Sequence, residues 1–349
     1  MKIYLEESEC KHDLQPLTAF RHTSDLRVGM LSIKEKWEML LPEVQIYTQQ
    51  MPDDEGVITI PANLIPSRET VQFILNHFSA ETIDGLNNST FKFLHFPWQL
   101  YQFSDAESRL DFPLLTQNRK KSSVTNQATF IGNDIFIEDG AQTSHCILNS
   151  ETGPIYISSG AVIMEGALIR GPFFMDQNAV VKMGAKIYGA CSIGKHAVVG
   201  GELKNVVIFD HSNKVHDGYL GDSVIGSWCN IGAGTSNSNV KNTFGDVYYQ
   251  TRNGKSVISA GKKAGLIMGD YSKCAINTSF YTGTLVGICC NIFGNEIPAS
   301  YVPDFTWGKS KYKLDKLIQH IEQWRMNTGK PKLDNQETEK IKQAYNQTT

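Results

Sequence analysis

The stretch Ile157-Ser158-Ser159-Gly160-Ala161-Val162-Ile163-Met164-Glu165-Gly166-Ala167-Leu168-Ile169 opens a strict six-residue step. The step continues through Met175, Val181, Ile187, Ile193 and Val199, so eight successive positions are aliphatic. Four residues after each of the first seven stand Ala161, Ala167, Phe173, Ala179, Ala185, Cys191 and Ala197, small with the exception of Phe173. Upstream, Ile131 and Ile137 share the period. Downstream, Ile225 and Ile231 resume it, and Met268, Cys274, Phe280, Val286 and Ile292 extend it. A helix of 3.6 residues per turn cannot hold a six-residue step on one face, whereas a short strand plus a turn can. Each hexapeptide is then one side of a triangular coil, its aliphatic residue pointing inward and its small residue fitting the corner. Glycine supplies turn dihedrals there. Stacked coils pair in parallel and bury a continuous column. Each inward Ile or Val contributes roughly 1.5–3 kcal/mol before chain entropy is subtracted.

Working outward, residues 1–131 of the 349 hold only Gly29, Gly56 and Gly85, and the other 26 of the 29 glycines follow. Seven of the twelve prolines precede residue 114. This shift divides the chain into 1–121, 122–305 and 306–349, with the polar run Gln117–Ser123 as linker. In the first part, Val57–Asn63 reads as a strand and Ser67–Leu75 as a helix capped by Ser67, a small α/β unit. Trp98, Tyr101 and Phe103 read as its core. In the last part, Leu314, Leu317, Ile318, Ile321 and Trp324 have helical spacing and predict an amphipathic helix capping the coils, followed by a polar tail over 327–349 that frays. The fold class is mainly β: a parallel β-helix with a small N-terminal α/β domain and a C-terminal helix.

Lys+Arg 33 against Asp+Glu 36 gives a net charge of −3, with no basic tract longer than Arg119-Lys120-Lys121, so nucleic acid is not an expected partner. Apolar runs fall short of the ~20 residues that span a bilayer, and Met1–Glu7 lacks the apolar core of a signal peptide, so no membrane insertion and a cytoplasmic location are expected. The seven cysteines form no metal-ligand spacing, and no metal site is expected.

The Ile-Gly-x-x-Ala step resembles the bacterial hexapeptide-repeat acyltransferases, which implies a left-handed coil and a homotrimer with acyl-CoA sites between subunits. A sharper likeness is local. His216-Asp217-Gly218-Tyr219-Leu220-Gly221-Asp222, continuing to Asn230-Ile231-Gly232-Ala233-Gly234-Thr235, resembles the acetyltransferase domain of the bifunctional glucosamine-1-phosphate N-acetyltransferase/N-acetylglucosamine-1-phosphate uridyltransferase family. The resemblance implies an acetyl-CoA-dependent transfer to an amino-sugar 1-phosphate, a small-molecule sugar phosphate, in nucleotide-sugar or cell-envelope biosynthesis. It places the catalytic base at His216; a sugar amine must lose a proton as it attacks a thioester, and imidazole chemistry suits that. The other reading of His216 is a polar surface histidine between coils. Tyr219, Asn230 and Asn239 fall where the family contacts sugar and acetyl groups, Ala233 where backbone meets the acetyl group, and Lys204 where a lysine meets the sugar phosphate, with Glu202 two residues before it. Arg170 is the first candidate for the phosphate arginine, because guanidinium binds phosphate bidentately. Lys182 and Lys186 are secondary candidates that read equally as solvated charges. After Gly-Thr this chain carries Ser238-Asn239-Val240-Lys241-Asn242 where the family has Cys-Asn-Tyr-Asp-Gly, which leaves the sugar open. Val240–Ser256 reads as a loop leaving the stack toward a neighbouring subunit.

Pro16-Leu17-Thr18, with Ile33-Lys34-Glu35-Lys36-Trp37 downstream, weakly resembles a sugar nucleotidyltransferase start, without the Gly-x-Gly that lets a backbone close on phosphates. Arg21, Arg27 and Lys34 are the cationic candidates if it binds nucleotide, and Mg2+ is expected only if that domain is active. Two alternatives stand beside acyl transfer: a sugar-1-phosphate nucleotidyltransferase using UTP or dTTP with the β-helix as trimerisation module, and a non-catalytic scaffold.

Overall fold

The computed structural model describes residues 2–53, 56–76, 91–120, 127–251 and 256–348; the expected boundary at 121/122 lies outside them. The six-residue step is a left-handed β-helix with three strand columns. Face A holds Ile155–Ile157, Phe173–Met175 and Cys191–Ile193, face B Val162–Ile163, Val180–Val181 and Val198–Val199, and face C Leu168–Arg170 and Lys186–Tyr188. Three hexapeptides close one turn: Ile157 pairs in register with Met175, and Met175 with Ile193. All eight aliphatic positions from Ile157 to Val199 are at most 1% exposed. The exception at Phe173 has a geometric reason. Face A strands turn two side chains inward, so Phe173 and Cys191 are core residues in their own right, while Ala161, Ala167, Ala179, Ala185 and Ala197 fill tight corners.

Ile131 departs from the expected column. In its strand Phe130 is the residue that pairs with inward Leu148, and Ile131 faces out. After Val199 the turn shortens: Ile193 pairs with Ile208, and one strand, Glu202–Ile208, runs around a corner with Asn205 at φ 51°. The column then continues through Ile225, Met268, Val286 and Val302.

At the corner between faces A and B the chain repeatedly adopts left-handed backbone without glycine, at His196, His211, Trp228, Tyr271, Cys289 and Phe305. Such a conformation costs a non-glycine residue roughly 1–2 kcal/mol. Ring stacking offsets it: centroids are 4.9 Å apart for His196–His211, 4.1 Å for His211–Trp228 and 6.2 Å for Trp228–Tyr271. Two C-terminal helices cover this corner, α4 (Leu314–Asn327) and α5 (Asn335–Asn346), numbered after the three N-terminal helices described next. The buried Arg325 lies 4.7 Å over the Trp228 ring and pairs with Glu337 at 2.8 Å. The second helix corrects the expectation of a fraying tail. Its signal is the capping box of Asp334 and Glu337, and its few apolar residues, Ile341, Ala344 and Tyr345, pack on the coil end with Leu333.

The N-terminal unit has a parallel three-stranded sheet, ordered Gln45–Tyr47, Lys2–Glu6, Val57–Pro61. Around it lie α1 (Ile33–Leu40), α2 (Arg68–Asn76) and α3 (Gln99–Thr116). Ser32 and Glu35 form a capping box on α1, and Ser67 accepts from the Thr70 N–H at the start of α2. Lys36 is buried against Glu107 and Asp111 of α3. Burial pushes the Asp111 carboxyl up to about 6 against the opposing pull of Lys36.

This unit lies on the outer surface of face A, where Phe136, Tyr156, Phe174, Val207, Val224, Ile267 and Leu285 are all buried. Two arginines fasten it. Arg21 reaches Asp270 at 2.6 Å above the Phe209 ring, and Arg27 reaches Asp176 at 2.7 Å above Phe174. Both are candidates for nucleotide contact, and the coil stack engages both guanidinium groups. The segment expected to leave the stack at Val240 also folds back. Its strands Val247–Gln250 and Val257–Gly261 form an antiparallel hairpin. Tyr249 stacks on Trp98 at 4.8 Å, and Gln102 of α3 donates to the Ala260 carbonyl at 2.9 Å. Among the described residues no helix is long and apolar enough to cross a membrane.

Two stability effects follow. Arg21→Ala leaves the buried Asp270 carboxylate without its cation and is expected to cost about 3–5 kcal/mol, read as a lower urea midpoint, while Arg21→Met with Asp270→Asn recovers at least half. Burial, with the nearby cations, holds His211 down to about 4 in the folded chain. As pH falls below about 6.5 the unfolded chain takes up a proton that the native ring refuses, so this stability is lost between about 6.5 and 4. His211→Tyr is expected to flatten the fall in Tm across that window.

Candidate functional site

His216 lies in the turn 215–218, which joins the face B strand Asn213–Lys214 to the strand Tyr219–Ile225 that begins on face C. Its side chain is exposed. Glycines flank this turn on the neighbouring coils. A Cβ on Gly200 would stand 2.2 Å from the Val215 carbonyl oxygen, and one on Gly201 would stand 2.7 Å from that of His216. On the other side Gly234 donates its N–H to the Asp217 carbonyl at 3.0 Å. The backbone therefore packs closely while His216 itself is exposed on the corner. Lys182 occupies the same corner, its Cβ 3.2 Å from where a Gly200 Cβ would be. Ala233 lies on the corner one coil further along, and its carbonyl accepts from Asn277 at 2.7 Å.

Strand register gathers most of the remaining candidates on face C. Lys186 pairs with Glu202 and Glu202 with Tyr219; Tyr188 pairs with Lys204. Arg170 lies one rung before Tyr188, hence about 10 Å from Lys204 at ~4.8 Å per rung. Sequence reasoning missed Tyr188. Its hydroxyl donates to Glu202 at 2.6 Å, and Lys204 Nζ lies 5.6 Å from its ring centroid. Hydrogen-bonding to Glu202, with burial, pushes its phenol up to about 12.

The Tyr-x-Gly-Asp order has a local explanation. The Tyr219 side chain lies back over Gly221, where any Cβ would meet its hydroxyl oxygen at 2.2 Å. Asn239 donates to that hydroxyl at 3.0 Å and to the buried Asp222 carboxylate, which also accepts from Asn205 at 3.0 Å. Burial, then the charge on Asp222, raises the Tyr219 phenol well above its ordinary value. Tyr219 and Asn239 are thus joined in one network. Asn230 stands apart. It lies on face B between Asn213 and Lys273, one face away from Tyr219.

A second residue missed in the sequence is Asn237. Its side-chain amide accepts from the Gly221 N–H at 2.8 Å and donates to the Gly221 carbonyl at 3.0 Å, supplying the pairing that a next rung would give.

Residues 3–85 match the family described as sugar nucleotidyl transferase. A bifunctional protein GlmU of Methanococcus maripaludis (strain DSM 14266) is 38% identical over 177 residues, 48% of this chain and 40% of that protein. The GlmU of Methanocaldococcus jannaschii is 32% identical over 117 residues, 34% of this chain and 28% of its own length. A bifunctional sugar-1-phosphate nucleotidylyltransferase/acetyltransferase of Sulfurisphaera tokodaii is 31% identical over 96 residues, 28% of this chain and 24% of that protein. Over the matched parts the chain is similar to these GlmU proteins. Its matches span less than half of their length.

Within the matched N-terminal segment of this GlmU-like chain, the first strand ends at Glu6 and leads directly to Glu7. The Glu7 carboxylate accepts from the Thr23 N–H at 2.7 Å, the Thr23 hydroxyl at 3.1 Å and Lys11 at 2.6 Å. Burial raises this carboxyl, but these bonds outweigh it and hold it below its ordinary range. Lys34 is half-exposed, 3.8 Å from Glu38. The segment is similar to that family over residues 3–85, and the loop after the strand presents a carboxylate rather than open glycine N–H groups.

Asn237→Ala leaves the buried Gly221 N–H without its partner and removes one of the two donors to the Gly221 carbonyl, which keeps the Ser223 hydroxyl. It is expected to cost about 1–3 kcal/mol, measured as a shift in the denaturant midpoint with an unchanged m-value.

Proposed function

We propose that the coil stack transfers an acetyl group from acetyl-CoA to the amine of an amino-sugar 1-phosphate such as glucosamine-1-phosphate. The observation that carries this reading is the exposed His216 on a glycine-walled corner that leads straight into face C, where Glu202, Lys204 and Tyr219 stand on paired rungs. The amine nitrogen attacks the thioester carbon, His216 accepts the proton released from that nitrogen, and the carbon–sulfur bond breaks. The proton returns from the imidazole to the departing thiolate. Lys204 and Arg170 lie on the face that would receive the phosphate, with Lys182 on the corner and Glu202 beside the sugar. Ala233 would meet the acetyl group through its backbone.

A homotrimer fits this reading. Ile147 and Leu168 are 38% and 46% exposed on face C, an apolar surface that a neighbouring copy would cover. Asn230, on face B, would then serve a cleft completed by a second subunit.

The match of residues 3–85 favours a second reading, nucleotidyl transfer from UTP or dTTP with Mg2+. The engagement of Arg21, Arg27 and Glu7 inside the protein supports an N-terminal unit that orients the coils.

The test is free-thiol release from acetyl-CoA with glucosamine-1-phosphate as acceptor. His216→Ala is expected to lower turnover by ~100-fold or more. No turnover with any amino-sugar phosphate overturns acyl transfer, and pyrophosphate release with UTP or dTTP and Mg2+ then tests the second reading.

A further inference from the structure

The inward column of face B reads Ile163, Val181, Val199, Lys214, Ile231, Cys274, Ile292. One member is a lysine. Lys214 is 2% exposed, and among the described residues no carboxylate lies within ion-pair distance of its ammonium group. The Asp217 carboxylate acts on it without forming an ion pair and does not outweigh burial. A buried ammonium so weakly compensated is unfavourable, and every other rung of this column from Ile163 to Ile292 uses an apolar residue. The coil has a reason to carry it only if the amine does something an isoleucine cannot.

What the amine does is visible in its partners. Nζ donates to the Gly200 carbonyl at 3.3 Å and to the His216 carbonyl. It therefore ties two successive corners together from inside the coil, one of them the turn that carries His216. From the outside the same turn rests on Gly200 and Gly201, whose missing side chains admit the Val215 and His216 carbonyls. On its other flank it is bonded by Gly234. The backbone of residues 215–218 is thus held on three sides while the imidazole projects outward. Burial holds the amine down to about 8, consistent with a group held in a poorly solvating place.

We propose that Lys214 is a positioning residue, an internal clamp that fixes the His216 turn at the expense of coil stability. This rests on the reading of His216 as the base in acyl transfer. The proposal separates two properties that a purely structural lysine would keep together. Lys214→Ile restores the aliphatic column, and Lys214→Met keeps the length of the side chain without its donor.

In both variants the Tm is expected to equal or exceed that of the wild type. Amide hydrogen exchange at residues 216–218 is expected to speed up by 10-fold or more relative to the neighbouring rungs. In acetyl-CoA turnover kcat is expected to fall at least 10-fold, with KM for acetyl-CoA changed less than 3-fold. Unchanged exchange at 216–218 overturns the proposal, as does a Tm loss that accounts for the lower activity, or failure of both variants to fold. If the wild type transfers no acetyl group, the reading of His216 fails by itself, and the exchange and Tm measurements still decide whether Lys214 clamps the turn.

Discussion

Lateral pairing of one coil with the next is the constraint on which the molecule rests. A strand two or three residues long is stable only because identical strands lie above and below it, and those meet only when the turn length is kept. Register therefore controls more than the core. It decides that Phe136, Tyr156 and Phe174 point toward the N-terminal unit, that Glu202 and Tyr219 stand side by side, and that His211 lies against Trp228. Faces and corners acquire separate tasks from one repeated step.

The N-terminal unit has been drawn into this arrangement rather than hung beside it. Its two arginines reach carboxylates of the coils, and the hairpin that leaves the stack returns to pack on Trp98 and α3. A segment matching a nucleotidyl transferase family thereby shares one continuous buried layer with a β-helix.

The coil stack was legible because its signal is periodic: eight aliphatic positions at one spacing permit few other folds. The helix at Leu314 was legible for the same reason. What stayed hidden depended on contacts between residues distant in the chain. Nothing in the order of residues shows that Arg21 meets Asp270, 249 positions away, or that the Asn237 amide imitates a strand for Gly221. The left-handed corner at Trp228 runs against local preference and is explained only by the rings around it. His216, Tyr219 and Gly221 were found through a short motif, but the reason for the glycine, a tyrosine ring lying across it, needed coordinates. Tyr188 carried no motif at all and is drawn into the site by register.

The excursion after Asn239 has a wider consequence. Rung partners Val224 and Ile267 are separated by far more chain than one turn needs, yet the Ala264 N–H meets the Asn239 carbonyl at 2.9 Å, so the stack closes as though nothing had been inserted. The rungs need only the place where the excursion starts and ends; its body answers to the N-terminal unit, against which Val247, Tyr249 and Ala260 are buried. A segment grafted between those two residues must therefore bring its ends together for the coils and replace that buried contact for the N-terminal unit. The wall beside Tyr219 and Asp222 is thus tied to the surface it shares with Trp98 and α3, and the two can change only together.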